Sequence, residues 1–200
     1  MGKYNGPKRR LSRREGMALF AKDAAFIERK GAIVPGSHGT RRARKPSEYG
    51  LQLREKQKAK RMYGLMERQF ANYFKTASKV KGNTGEKMLN LLETRLDNIV
   101  YRLGFSPSRS GARQLVSHGH VVVNNKKVNI PSFQVKSGST VAILNKMLDN
   151  TQVRKSLESN ETLPAWLERK ATVGKVLRLP VRAEMEQGIN EQMIVEYYSR

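Results

Sequence analysis

Arg95, Arg109, Arg113, Lys126 and Lys127 all fall between Glu93 and Ile143. A guanidinium offers paired donors that match a phosphate, and a lysine ammonium is a mobile point charge. Arg109 and Arg113 stand one turn apart on a predicted helix, with Gln114 beside them and His118 near its end. The chemistry of this set is phosphate gripping. Asp97 is the candidate nucleophile of the stretch, but it sits at a predicted helix start, where the dipole favours a carboxylate for structural reasons. His118 and His120 flank Gly119 without a third ligand nearby, which makes a poor metal site. His38 is alone in a Pro-Gly-Ser-His-Gly loop. The chain holds no Ser/His/Asp arrangement, no convincing carboxylate pair for acid–base work and no cysteine. The expectation is a binding protein without catalytic residues, metal or cofactor.

The overall charge points the same way. The 200 residues carry 39 Lys and Arg against 17 Asp and Glu, a formal net charge of +22 with a pI near 10.6. Such a chain repels itself unless a counter-charged partner is present, and nucleic acid is the natural one. The excess is uneven: residues 1–61 hold 18 of the basic side chains and 5 acids. That third contributes the candidate RNA contacts Lys3, Lys8, Arg9, Arg10, Arg13, Arg14, Arg41, Arg42, Arg44 and Lys45. Arg54, Lys56, Lys58, Lys60 and Arg61 follow, and Lys81 lies further along. An anionic membrane is the rival partner. It requires a broad apolar helix face or a lipid anchor. Neither is found, and Gly6 occupies the position where a myristoylation motif needs Ser or Thr. The longest apolar run, Met17–Ala21, is too short for a signal-peptide core or a membrane span. A cytoplasmic location is the default.

The elements that must position these residues divide the chain. Residues 1–46 read as a basic arm broken by Gly31, Pro35-Gly36 and Gly39, with one helix near Ser12–Ala21 capped by Ser12 and Glu15. Residues 47–80 read as helix, starting at Ser47. No apolar stripe runs from Arg54 to Arg61, so that portion is expected in solvent or against RNA. Leu96, Ile99, Val100 and Leu103 share a helical face, with Arg95, Asn98 and Arg102 as a separate polar stripe, and Gly104 ends that helix. Ser106-Pro107 reads as the start of the next. Val121–Val123, an Asn124-Asn125 turn and a return strand with Val128 and Ile130 form a hairpin carrying Lys126 and Lys127. Phe133–Val135 and Val141–Leu144 are further strand candidates. Residues 151–159 and about 164–170 read as short helices, and 171–188 as irregular. The end, Ile189–Arg200, is too apolar for a free tail and must dock.

Two local motifs have other readings. Gly82-Asn83-Thr84-Gly85 has the GxxG spacing by which KH modules clamp a backbone. No KH strand–helix pattern surrounds it, so it reads as a connector that also touches RNA. Thr94-Arg95-Leu96-Asp97 is similar to the G-R-L-D motif of pseudouridine synthases, in which the Asp is the nucleophile.

The segment RLDNIVYRLGF…SRSGARQLVSHGHVVVNNKKVNIPS resembles the RNA-binding module named after ribosomal protein S-four. That module also occurs in pseudouridine synthases, some tRNA synthetases and a heat-shock RNA binder. YNGPKRRLSRREG at 4–16, PGSHGTRRARKPSEYGLQLREKQKAKRMYG at 35–64, ERQFANYF at 67–74 and INEQMIVEYYSR at 189–200 resemble the bacterial S-four family of small-subunit ribosomal proteins over essentially the whole chain. The resemblance implies an α+β protein: a basic arm over 1–46, a helical domain over 47–92 plus 180–200, and an inserted RNA-binding domain over 93–179 with its core at 93–155. It implies binding to the five-way junction in the 5′ domain of small-subunit ribosomal RNA, nucleation of subunit-body assembly, and an influence on decoding accuracy. The implied neighbours are proteins S-five, S-three and S-twelve, and messenger RNA near the channel by which it enters. Some members repress their own operon. Others bind zinc through N-terminal cysteines, which this chain lacks, so no metal is carried over. The alternatives sharing the module are an RNA-modifying enzyme and a stress-type RNA chaperone.

Overall fold

The computed structural model describes residues 2, 4–31, 33–39, 45–158 and 163–200. The chain forms two compact units. One comprises the N-terminal part to Gly85 together with Gly188–Arg200; the other is Glu86–Gln187. The described N-terminal residues cluster with the first unit.

The first unit is helical. Helix α1 spans Lys8–Glu15 and ends at Gly16, whose φ of 72° provides the left-handed cap. Ser12 is not the expected N-cap: it lies inside α1, fully buried, and its hydroxyl donates to Asp23 Oδ2 at 2.6 Å. Leu19 N–H donates back to Ser12 Oγ at 3.3 Å. These bonds fold the segment after α1 back before α2, Ala24–Lys30. Helix α3, Glu48–Met62, starts where expected, with Ser47 Oγ accepting from Gly50 N–H at 3.2 Å. The single helix read over 47–80 is in fact two. Gly64 takes a φ of 64° and breaks it, and α4 resumes at Glu67–Ser78. Helix α5, Thr84–Glu93, begins at the boundary of this unit. The C-terminal residues form α9, Glu191–Ser199, capped by Asn190 and packed along α3. Its Ile194 is fully buried, and Tyr198 stacks on Phe74 at 4.7 Å. The apolar C-terminus docks, as its composition requires.

The second unit is α+β. Helices α6, Leu96–Arg102, and α7, Arg109–Ser117, pack on a five-stranded antiparallel sheet. The strands are β1 Val121–Val123, β2 Lys126–Lys127, β3 Thr140–Ile143, β4 Leu167–Lys170 and β5 Val173–Val176, in the order β2-β1-β3-β5-β4. Leu96, Ile99, Val100 and Leu103 meet Val121, Val141 and Val176 in one core with Trp166 and Phe105. Asn124 and Asn125 both take positive φ, 48° and 63°, as the expected turn requires. Four expectations fail here, one being the irregular reading of 171–188, which contains β5. Residues 164–170 are not helical, because β4 pairs with β5 through an Ala171 turn at φ 51°. And α7 starts at Arg109 with Ser108 as its cap, whereas Ser106 is buried and donates to Ser108 O. Phe133–Val135 forms no strand; Gln134 makes an isolated bridge to Arg95. Helix α8, Thr151–Glu158, completes the unit.

Ile194 of α9 is fully buried, so Ile194→Ala is expected to cost about 2–5 kcal/mol in urea unfolding. An unchanged midpoint would mean that the C-terminal helix contributes nothing to the first unit.

Candidate nucleic-acid interface

The basic run of α3 does not face solvent as a block. Glu15 of α1 has a fully shielded side chain, and both Arg54 and Arg61 reach it, Arg54 at 3.2 Å. Burial pushes the Glu15 carboxyl up, partly offset by those two guanidiniums. Lys56 is buried, donates to Glu67 Oε1 at 2.7 Å and lies 4.2 Å from the Tyr197 ring centroid. Lys60 holds the other Glu67 oxygen at 2.8 Å, and Lys58 donates to Gly188 O at 2.9 Å. Arg54–Arg61 is therefore not the freely solvated block that is one of the two expectations for it. Its cations hold α1, α4 and the C-terminal segment onto α3. Their partners lie far away in sequence, so no local pattern announces them.

A second network organises the α6–α7 pair. Arg95 is 1% exposed and donates to both oxygens of Asp97, at 3.0 and 2.7 Å. Arg113 Nη1 lies 3.5 Å from the same carboxylate. Arg102 makes a bidentate pair with Glu93 at 3.1 and 2.8 Å and also reaches Glu186 at 3.0 Å. Arg109 donates to Asn98 Oδ1 at 2.8 Å, pairs with Glu186 and lies over the Tyr101 ring. The expected polar stripe of Arg95, Asn98 and Arg102 is therefore internal wiring. Asp97 does stand in the first turn of α6, as the sequence indicates, but it also neutralises two arginines.

The exposed cations of this unit are different ones. Direct cross-strand partners share a face of an antiparallel sheet. The register links Lys127 to Val122, Val122 to Ala142, Ala142 to Val173, and Val173 to Lys170. A second row joins Thr140, Lys175 and Glu168. The outer sheet face thus has a small apolar centre with lysines on both edges. Lys126, Lys136 and Lys146 are also exposed. Of these, sequence reasoning singled out only Lys126 and Lys127.

The remaining candidates scatter. Lys8, Arg9, Arg10, Arg14, Lys45 and Lys81 are exposed on the first unit; Arg9 lies over Phe26 at 4.4 Å, and Arg13 donates to Ile33 O at 2.7 Å. Lys3, Arg41, Arg42 and Arg44 lie outside the described residues. Gln114 and His118 are exposed along one cleft beside α7. In the Gly82–Gly85 motif, Asn83 Oδ1 accepts from Gly85 N–H, and a Cβ on buried Gly85 would meet the Glu191 side chain at 2.9 Å. The motif starts α5, and its Gly85 leaves room for Glu191. Among the described residues no cluster of His, Asp and Glu is built to hold a metal, and no helix is long and apolar enough to cross a membrane.

Residues 3–93 match the family model of the ribosomal protein S4/S9 N-terminal domain, and residues 94–141 that of the S4 domain. The chain is 54% identical to small ribosomal subunit protein uS4 of Dictyoglomus turgidum, 50% to uS4A of Symbiobacterium thermophilum and 47% to uS4 of Thermus thermophilus, each alignment covering all of both chains. The chain belongs to the uS4 family of small ribosomal subunit proteins. The matched S4 domain contains α6, α7 and the β1–β2 hairpin, and its match ends in β3. The β4–β5 hairpin with Lys170 and Lys175 lies beyond that match.

Glu67 ties α3, α4 and α9 together, since Tyr198 Oη also donates to it at 3.0 Å. Burial alone would raise its pKa, but the Lys56 and Lys60 ammoniums outweigh burial and hold it at about 2, below the ordinary 4.5. A depressed carboxylate pKa stabilises the fold above about pH 4.5, and that contribution is lost as pH falls toward about 2. Glu67→Gln is therefore expected to lower stability at neutral pH and to flatten its dependence between those two values. Identical pH profiles of unfolding in wild type and variant would contradict this role.

Proposed function

We propose that the chain is a structural, ribosomal RNA-binding constituent of the small ribosomal subunit, and so resides in the cytoplasm within the ribosome. The supporting observation is how charge is distributed in the second unit. Asp97, Glu93 and Glu186 are taken up by Arg95, Arg102, Arg109 and Arg113, while lysines border an open sheet face whose acid, Glu168, pairs with Lys170. A surface of this kind positions a phosphate backbone by charge and shape. The RNA partner is the 5′-domain junction of small-subunit ribosomal RNA. By the family resemblance, the neighbours are S-five, with S-three and S-twelve, and messenger RNA passes close by. Assembly nucleation and an effect on decoding accuracy belong to the same proposal. Catalysis is not part of it: both oxygens of Asp97 are engaged by Arg95, which disfavours a nucleophilic role.

Binding to 5′-domain RNA at several salt concentrations tests the reading. Lys127→Ala and Lys175→Ala are each expected to reduce the salt slope by about one while leaving thermal stability unchanged. Arg95→Ala is expected to do the opposite, leaving Asp97 buried without its partner and costing about 3–5 kcal/mol of stability. Equal affinity for 5′-domain RNA and bulk tRNA would refute the reading in favour of a general RNA binder.

A further inference from the structure

A cleft of about 720 Å³ opens in the second unit, between α7 and the segment from Lys146 into α8. That size is in the range that encloses a small organic ligand. Its walls are apolar at Phe105, Leu115, Met147 and Val153, all of which belong to or pack against the core. Its polar lining includes Gln114, His118, His120, Lys146 and Gln152, and none of the lining residues is acidic. The two imidazoles lie edge to face, 6.1 Å between centroids. The helix starts that border the cleft are already capped, since Ser108 Oγ accepts from Gly111 N–H and Asn150 Oδ1 from Gln152 N–H. The cleft also offers polar side chains for recognition.

We propose that this cleft holds one unpaired nucleotide of the bound RNA, which rests on the reading of the chain as an RNA binder. An extruded base needs a flat or apolar surface and an aromatic partner, and histidine is one of the side chains that stack on bases. Its polar edge needs groups that both donate and accept, which the amides of Gln114 and Gln152 supply. Its phosphate needs a cation without a competing carboxylate, which exposed Lys146 supplies. A purely paired RNA would leave the apolar walls unfilled, because its bases remain stacked. The cleft thus gives the unit a means of distinguishing a junction or loop from a continuous duplex. The sheet face with its lysines has no such means.

The test uses the full chain and three probes: 5′-domain RNA, single-stranded hexanucleotides of each base, and a 12-base-pair RNA duplex. At least one single strand should shift the imidazole NMR signals of His118 and His120. Gln152→Trp, an exposed position that fills the cleft, should weaken that strand by about tenfold without changing duplex binding. Lys146→Glu should weaken it as well, giving a second variant that alters no apolar packing. Unmoved imidazole signals with every strand, or full single-strand binding by both variants, would overturn the cleft assignment. In that case retained 5′-domain binding by the wild type would leave the ribosomal reading standing. Loss of 5′-domain binding by the wild type itself would overturn both.

Discussion

Asp97 lies between two guanidiniums, bidentate to Arg95 and within 3.5 Å of Arg113, at the point where α6 starts. Removing either charge type alone from that buried position would leave the other uncompensated, which is far costlier than the pair itself. The same constraint recurs through the molecule. With 39 basic side chains and 17 acids, carboxylates are scarce, and where each one stands decides which cations become internal. Glu15 draws in Arg54 and Arg61; Glu67 draws in Lys56 and Lys60; Glu93 and Glu186 draw in Arg102 and Arg109. What these pairs do not absorb is left on the surface as a field that attracts phosphate.

Arginine and lysine divide the work in the second unit. Its four networked residues are arginines, whose planar fork suits bidentate pairing inside a protein. The cations at both edges of the open sheet face, Lys127 and Lys170, are lysines on flexible stems. Rigid positioning and adaptable phosphate contact thus fall to different side chains. Family membership rests on independent ground, the full-length identity with uS4 proteins, and it agrees with this division: the α6–α7 pair, which the arginine network shapes, and the first hairpin lie within the matched S4 domain.

Local features were the readable ones. The Asn124-Asn125 turn, the apolar face of α6 with Gly104 after it, the Ser47 cap and the docking of the last helix all follow from short-range chemistry. The β4–β5 hairpin was not readable, because its turn uses Ala171 in place of glycine and because Leu167-Glu168-Arg169-Lys170 carries no clear alternation. Nor was the fate of the arginines. Arg95 and Lys127 look alike in sequence, and only the long-range placement of acids separates them. Ser12 illustrates the same limit: it has the type and spacing of a helix cap, yet Asp23 draws it into the interior.

The central claim, that the placement of acids determines which cations meet RNA, is tested most directly by amine-reactive footprinting of the lysines with and without 5′-domain RNA. The account predicts that Lys126, Lys127, Lys170 and Lys175 are reactive in the free protein and become protected by RNA, whereas Lys56 is unreactive in both states. Equal reactivity of the four exposed lysines with and without RNA, or a Lys56 as reactive as Lys127 in the free protein, would contradict it.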